Sequence, residues 1–235
     1  MDKNFNLNID DRFPNHSFGW TLALGTASIQ IMDLANAYAT LSNGTYQEIC
    51  PILEIKNHRG EVLKNPCEDV LKKNYKKTTA FFISDILSRK NIRPYSWNYH
   101  LSVKNANNVA VKTGTSTKRV DNKLYPVDNI VVGYTPDTTM LMWAGNTDGR
   151  KLKAYRVALR TIGKIWSTAM EKTLATRPSK KHAIFKVPEK IQKINGEWAT
   201  LDYKHPGYDV LSHFVYKNAE RGTNPLNKLQ HKRYW

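Results

Sequence analysis

Cysteine is scarce in this chain: Cys50 and Cys67 are the only two among 235 residues. Two are too few for a disulfide scaffold, and they do not stand in a metal-ligand spacing. Long apolar runs are missing as well. No stretch approaches the roughly eighteen consecutive apolar residues of a membrane-spanning helix, and the polar, mixed-charge start of the chain is not built like a signal peptide. Acidic residues are outnumbered, 20 Asp and Glu against 36 Lys and Arg, leaving a net charge of +16. Such a surplus attracts polyanions (nucleic acid, anionic lipid headgroups, acidic wall polymers) without choosing among them, and a Lys-rich solvated surface accounts for it equally. A nucleic-acid module would add a recognition helix, a zinc-ligand spacing or an aromatic-basic strand motif; none is present, so no specific nucleic-acid partner is expected. Glycine-rich phosphate loops, HExxH and CxxC are absent, and the seven histidines are scattered along the length. No cofactor or metal is therefore expected, and no repeat of 20 to 50 residues is visible.

What is present suits a folded core, with 40% hydrophobic and 11% aromatic residues. From Ile29 onward, Ile31, Leu34, Ala35, Tyr38 and Leu41 recur at helical spacing, with Thr26 or Ser28 as N-cap and Gly44 just past the end. A second helical pattern follows a lead of Lys72, Lys73, Lys76 and Lys77, placing Phe82, Ile83, Ile86 and Leu87 on one face and stopping before Pro94. Residues 91 to 107, rich in Asn, Ser and Tyr and without period, read as a loop. Val109 and Val111, then Ile130 to Val132, then Met140 to Trp143 form short apolar runs separated by Asp121-Asn122 and Thr135-Pro136-Asp137, which predicts an antiparallel meander. Ile162, Ile165, Trp166, Ala169 and Met170 then predict a helix packed across those strands. From Arg177 the chain turns basic and polar, with a short strand expected at Ala183 to Val187. The order of elements predicts an α+β fold, an antiparallel sheet flanked by helices.

Between the first two helices, Ile52 to Lys56 and Glu61 to Leu63 read as a β-hairpin whose polar turn lies near His58 and Arg59. Cys50 and Cys67 flank that turn symmetrically. A two-residue loop would face them across the ladder within disulfide reach, whereas a type I turn with a bulge at Gly60 would turn them to opposite faces. Pro51 and Pro66 would interrupt the ladder there. A disulfide and two buried or idle thiols both remain open.

One segment carries chemistry: Val109-Ala110-Val111-Lys112-Thr113-Gly114-Thr115-Ser116, a strand ending in a cation, hydroxyls and a residue without a side chain. Lys112 is a positive charge able to hold a substrate carboxylate and bias nearby groups toward proton transfer. Thr113 and Thr115 supply hydroxyl donors for the same carboxylate. Gly114 clears the strand so that a peptide can lie alongside it and a backbone N–H can serve an oxyanion. This is a docking edge rather than a nucleophile.

The motif has company. Leu22-Ala23-Leu24-Gly25 and Asp33 to Gly44, then Ile83 to Leu87, Val109 to Ser116, Asp128 to Asp137, and Trp143 to Arg150 occur in an order and spacing that resemble bifunctional, class A penicillin-binding proteins, most similar to the penicillin-binding protein 1C type. The resemblance covers residues 22 to 175, the C-terminal part of a transpeptidase domain, with a lead-in at 1–21, a hairpin insertion at about 49–66 and a basic extension at 176–235. It implies a five-stranded antiparallel sheet flanked by helices and incomplete at the N-terminus. It also implies acyl transfer from D-Ala-D-Ala stem peptides, peptidoglycan and β-lactams as partners, and work at the extracytoplasmic face of the bacterial inner membrane. In that family a serine of an S-x-x-K motif attacks the peptide, an S-x-N motif assists proton transfer, and the K-T-G strand binds substrate. Only the third maps here. No serine is followed three residues later by lysine: Ser28, Ser42, Ser84, Ser88 and Ser167 all fail. Ser96-Trp97-Asn98 spells S-x-N but stands just before the K-T-G strand, not upstream of Leu22 as in the family, and is read as coincidence.

The resemblance therefore implies a fragment, split gene product or truncated reading frame that is inactive alone, whose nucleophile an upstream polypeptide carrying the S-x-x-K half would supply. Loss of the N-terminal part would leave apolar surface exposed. The alternative is a non-catalytic module that holds stem peptides or anionic wall polymers. A nucleic-acid or anionic-membrane binder driven by charge alone is a third.

Overall fold

The computed structural model describes residues 5, 7, 9, 19–67, 70–104, 106, 108–152, 157–176, 184–194 and 197–201. The chain forms two compact units, Met1–Glu189 and Lys190–Trp235. The first is α+β, with antiparallel sheets and helices.

Helix α1 spans Ile31–Asn43 and ends where sequence placed it: Gly44 adopts φ 78° and its N–H closes on the Thr40 carbonyl at 2.8 Å. Its N-cap is Gln30, without a side-chain bond, rather than Thr26 or Ser28. Phe5, Leu7 and Ile9 pack with Ala27, Ile29 and Ala37 of this region. Strand β1 (Thr45–Gln47) follows, then β2 (Ile55–Lys56), β3 (Val62–Lys64) and β4 (Lys72–Asn74), with β1 paired to β4 and β2 to β3. Lys72 and Lys73 thus belong to a strand, not to a helix lead.

The β2–β3 turn is held by Asn57, whose Oδ1 accepts the N–H groups of Arg59 (2.9 Å) and Glu61 (3.1 Å), while Gly60 takes φ 81°. The bulge that sequence allowed at Gly60 is present, yet Cys50 and Cys67 are joined in a disulfide with Cα atoms 5.6 Å apart. The ladder ends at the Ile55–Lys64 pair after a second register shift, so its alternation does not reach the cysteines.

Helix α2 (Lys77–Ser88) buries Ala80, Phe81 and Ser84. The expected face of Phe82, Ile83, Ile86 and Leu87 is not the buried one: Ile83 and Ile86 are 38% and 51% exposed. Ser84 is inside because its hydroxyl bonds the Ala80 carbonyl (2.8 Å) and the Tyr134 hydroxyl (3.2 Å). Residues 91 to 107, expected to be a loop, contain helix α3 (Tyr95–Leu101), opened by Pro94 at its N-cap. Leu101, Val103 and Ala106 of this stretch, with Val109 just beyond it, join the main core.

The meander is longer than its apolar runs: β5 (Ala110–Val120), β6 (Lys123–Thr135) and β7 (Thr138–Gly145) form a three-stranded sheet in that order. Asp121 and Asn122 both carry positive φ, 48° and 59°, the conformation of a two-residue turn matched to strand twist. Pro126 fits inside β6 because a register shift falls between Ser116 and Thr117, leaving Val127 outside the pairing.

Short helix α4 (Ala158–Thr161) and helix α5 (Gly163–Ala175) cover one face of this sheet. Trp166 is fully buried, donates its indole N–H to the Met140 carbonyl at 3.0 Å, and lies against Gly133. Ile165, expected on the apolar stripe, is exposed. In the second unit, β8 (Ile191–Ile194) pairs with β9 (Glu197–Thr200) in register Ile194 to Glu197. The strand expected at Ala183 to Val187 is not formed over residues 184–187, and Ala183 lies outside the described residues.

A Cβ at Gly133 would stand 2.3 Å from the Trp166 ring and 2.8 Å from the Ala110 carbonyl. Gly133→Ala is expected to lower stability by about 1–3 kcal/mol in urea unfolding. Burial pushes the Tyr134 phenol up to about 12, against an ordinary value of 10.0. Its contribution to stability is intact below pH 10 and lost as pH rises toward 12, because the unfolded phenol ionises first. Tyr134→Phe should therefore flatten the alkaline fall in urea stability, and cost about 1 kcal/mol at neutral pH through the lost Ser84 bond.

Candidate functional site

Strand alternation divides the Lys112 to Ser116 motif between two faces of the sheet. Lys112, Gly114 and Ser116 stand with Val132, Ile130 and Asp128 of β6 on one face. Val111, Thr113 and Thr115 stand with Gly133, Val131 and Asn129 on the other, where α5 packs. The structure thus brings Thr113 and Thr115 together and separates them from Lys112 and Gly114.

On the first face Lys112 is exposed, and its Nζ donates to the Thr113 carbonyl at 2.7 Å. Gly114 is open: a Cβ there would meet nothing nearer than Ile130 Cβ at 3.9 Å. Ser116 donates to Asp128 Oδ2 at 2.6 Å, and the Trp143 indole N–H occupies Oδ1 of the same carboxylate at 3.0 Å. Gly145 makes that pairing possible, since a Cβ there would stand 2.6 Å from the Trp143 ring and 2.7 Å from Asp128. In the sheet, β5 is an outer strand, and no described residue pairs with its other edge.

On the second face the Thr115 hydroxyl is already engaged. It donates to Asn129 Oδ1 at 3.1 Å and accepts the Ala158 backbone N–H at 3.0 Å. Asn129, fully buried, passes its own amide to Thr161 Oγ1 at 3.0 Å. A polar chain from β5 through β6 to α4 thereby fixes the height of the motif against the helix layer. Arg93 holds its other end, with hydrogen bonds to the Leu87 carbonyl and to the Val109 carbonyl (3.2 Å), joining the end of α2 to the start of β5. Burial lowers its guanidinium's pKa from the ordinary arginine value.

Thr113 and Thr115 also line a cleft of about 730 Å³ with Ser96, Trp97 and His100 of α3 and Val157, Leu159 and Arg160 at α4. Of the S-x-N triplet, Ser96 and Trp97 face this cleft, but Asn98 turns inward and donates to the Lys90 carbonyl at 2.8 Å. None of the scanned helix serines is poised as a nucleophile: Ser42, Ser84, Ser88 and Ser167 each donate to a backbone carbonyl of their own helix. Sequence reading missed Asn129 and Arg160. The signal for Asn129 was a buried-strand position occupied by an amide.

The fold of the chain has counterparts among solved structures. Penicillin-binding protein PonA1 from Mycobacterium tuberculosis matches with a TM-score of 0.57 at 23% identity, over 74% of this chain and 48% of that one. Over the matched part, the chain shares the fold of this penicillin-binding protein. PonA1 in complex with penicillin V matches likewise, with a TM-score of 0.56 at 23% identity over 72% of this chain and 46% of that one. The chain spans about half the length of the PonA1 structures it matches. No protein-family model matches the sequence, and no curated protein does. In the three-stranded sheet the motif strand is an outer strand, and among the described residues its other edge has no strand partner.

Thr115→Val keeps the shape but leaves the Ala158 N–H and the buried Asn129 without their shared partner. It should cost about 1–3 kcal/mol in urea unfolding, whereas Thr113→Val should change stability by less than about 0.5 kcal/mol.

Proposed function

We propose that this chain provides the substrate-binding strand of a peptidoglycan D,D-transpeptidase, with the S-x-x-K nucleophile supplied from outside these residues. The observation that carries the reading is β5: Lys112-Thr113-Gly114-Thr115 lies on an open outer strand of a sheet with the penicillin-binding fold. A stem peptide added alongside such an edge would take main-chain hydrogen bonds from β5, with Gly114 leaving room and Lys112 offering charge to a carboxylate. The β-lactam-binding precedent comes from PonA1, solved with penicillin V.

Within the family the segment order quoted above favours class A and the 1C type, with residues 22–175 forming the C-terminal part of the domain. The exposed Ile83 and Ile86 face of α2 supports a further covering element contributed by the rest of that domain. Among the described residues no helix is long and apolar enough to cross a membrane. The Cys50–Cys67 disulfide suits the oxidising side of a bacterial membrane, the envelope location proposed here.

The second reading, a non-catalytic module for stem peptides or anionic wall polymers, rests on the +16 charge and on the missing S-x-x-K. Retention on purified peptidoglycan by the chain alone, lost in Lys112→Ala, would favour it.

The transpeptidase reading is tested with fluorescent penicillin and denaturing gels. The chain alone should retain no covalent label; mixed with a polypeptide carrying the S-x-x-K half, label should appear on that polypeptide and fall roughly tenfold or more with Lys112→Ala. Label on this chain itself, or on the partner regardless of Lys112, would sink the proposal.

A further inference from the structure

Past the Asp128–Gly145 pair β7 stops, and β5 and β6 run on as a two-stranded arm, residues 117–126, closed by the Asp121-Asn122 turn. We propose that one face of this arm binds a linear polyanion of phosphodiester-linked polyol units, of the poly(glycerol phosphate) type. The inference rests on the anionic-polymer part of the second reading and gives it a site of its own. It needs neither Lys112 nor a nucleophile.

The strand register assigns the arm's side chains. Lys118 stands opposite Tyr125 and Val120 opposite Lys123, so these four share a face, while Arg119, opposite Leu124, takes the other. Lys118 and Lys123 are diagonal neighbours across the ribbon, about 7–8 Å apart. A third ammonium joins them, because Lys151 Nζ lies over the Tyr125 ring, 4.3 Å from its centroid. The segment bearing Lys151 is tied to the arm by the Leu152 N–H, which donates to the Pro126 carbonyl at 2.8 Å. All three lysines are exposed, and among the described residues none has an ion-pair partner. The arm's one carboxylate is Asp121, at the turn. Asp128 at the root is occupied by Ser116 and Trp143, and Asp148 by Arg150. Like charges gathered around one ring repel one another, and an anionic chain laid across them removes that repulsion.

The same face selects the kind of anion. Its aromatic ring would be the stacking platform for a nucleobase, but Lys151 covers it, so ammonium groups meet the ligand instead. The cations there are lysines, point charges on flexible stems that suit phosphate oxygens, and not the planar fork that matches a carboxylate. A bilayer fits poorly. Leu124, 56% exposed, is the arm's one exposed large apolar side chain, and it stands on the opposite face. The tip that would enter the headgroups first carries Asp121. A phosphodiester chain without bases fits what remains, and the Cys50–Cys67 disulfide suits the compartment in which a wall polymer would be met. Lys112 stands about 20 Å back along β5, so arm and motif can be tested separately.

The test measures the fluorescence anisotropy of end-labelled poly(glycerol phosphate) titrated with the full chain. Saturable binding is expected, weaker by roughly tenfold or more and less steeply salt-dependent in the triple variant Lys118→Gln, Lys123→Gln, Lys151→Gln. Removing the same charge elsewhere, with Lys72→Gln, Lys73→Gln and Lys76→Gln together, should leave affinity within about threefold, as should Lys112→Ala. The triple variant Lys118→Arg, Lys123→Arg, Lys151→Arg should also bind within about threefold of the parent chain, which separates lost charge from a disturbed arm. Four results would overturn the inference: no saturable binding, equal loss in the two glutamine triples, loss in the arginine triple, or tighter arm-dependent binding of a base-bearing or lipid competitor. The competitors are a single-stranded oligonucleotide of equal charge and phosphatidylglycerol vesicles. Failure here leaves the penicillin-labelling experiment and Lys112-dependent retention on peptidoglycan untouched, because both read the motif and not the arm.

Discussion

The contact on which the architecture rests is the Trp166 ring packed against Gly133. The indole is fully buried, and the central strand of the sheet has room for it there only because position 133 has no side chain. The indole N–H then reaches the Met140 carbonyl on β7, so one residue of α5 grips two strands. Met170, Leu174, Ile162 and Val131 fill the core around that point. Moving the helix would expose the indole or press it against backbone, and both outcomes cost more than small adjustments elsewhere can offset.

With α5 fixed, the heights of α4 and β5 follow. Ile162 joins the two helices, and the Thr115, Asn129 and Thr161 chain connects α4 to both neighbouring strands. Arg93 secures the start of β5 against the end of α2. The motif strand is therefore held at both ends, while its middle, Lys112 to Gly114, keeps one face and one edge open. Because side chains alternate along a strand, a motif contiguous in sequence becomes two surfaces of different chemistry. One is a cationic open edge; the other is a cleft shared with α3 and α4.

Much of the core was readable from pattern. The apolar runs of β5, β6 and β7, the Asp121-Asn122 turn, the Gly44 stop and the Trp166–Met170 spacing each reflect local physics: strand alternation, a left-handed turn, helical period. The errors have physical causes too. Helix α3 was hidden because Tyr95 and Tyr99 are largely exposed and its inward anchor is Leu101 at the end. The buried face of α2 was misjudged because Ser84 goes inside with Tyr134 while Ile83 and Ile86 stay out. The cysteine geometry escaped a register argument because the ladder stops before reaching them.

By itself, the sequence determined the α+β order, the three-stranded meander and the Lys112-Thr113-Gly114-Thr115 strand, since each depends on residues close together in the chain. It also determined that no S-x-x-K serine lies in these residues. Tertiary structure alone decided which face each motif residue occupies in context, that Thr115 serves the fold through Asn129 and Ala158, and that Ser96, Trp97 and Arg160 meet Thr113 across one cleft. Those relations join residues up to 64 positions apart, such as Ser96 and Arg160. No local periodicity encodes them; they arise only when α5 docks on the sheet and brings α3 and α4 beside β5.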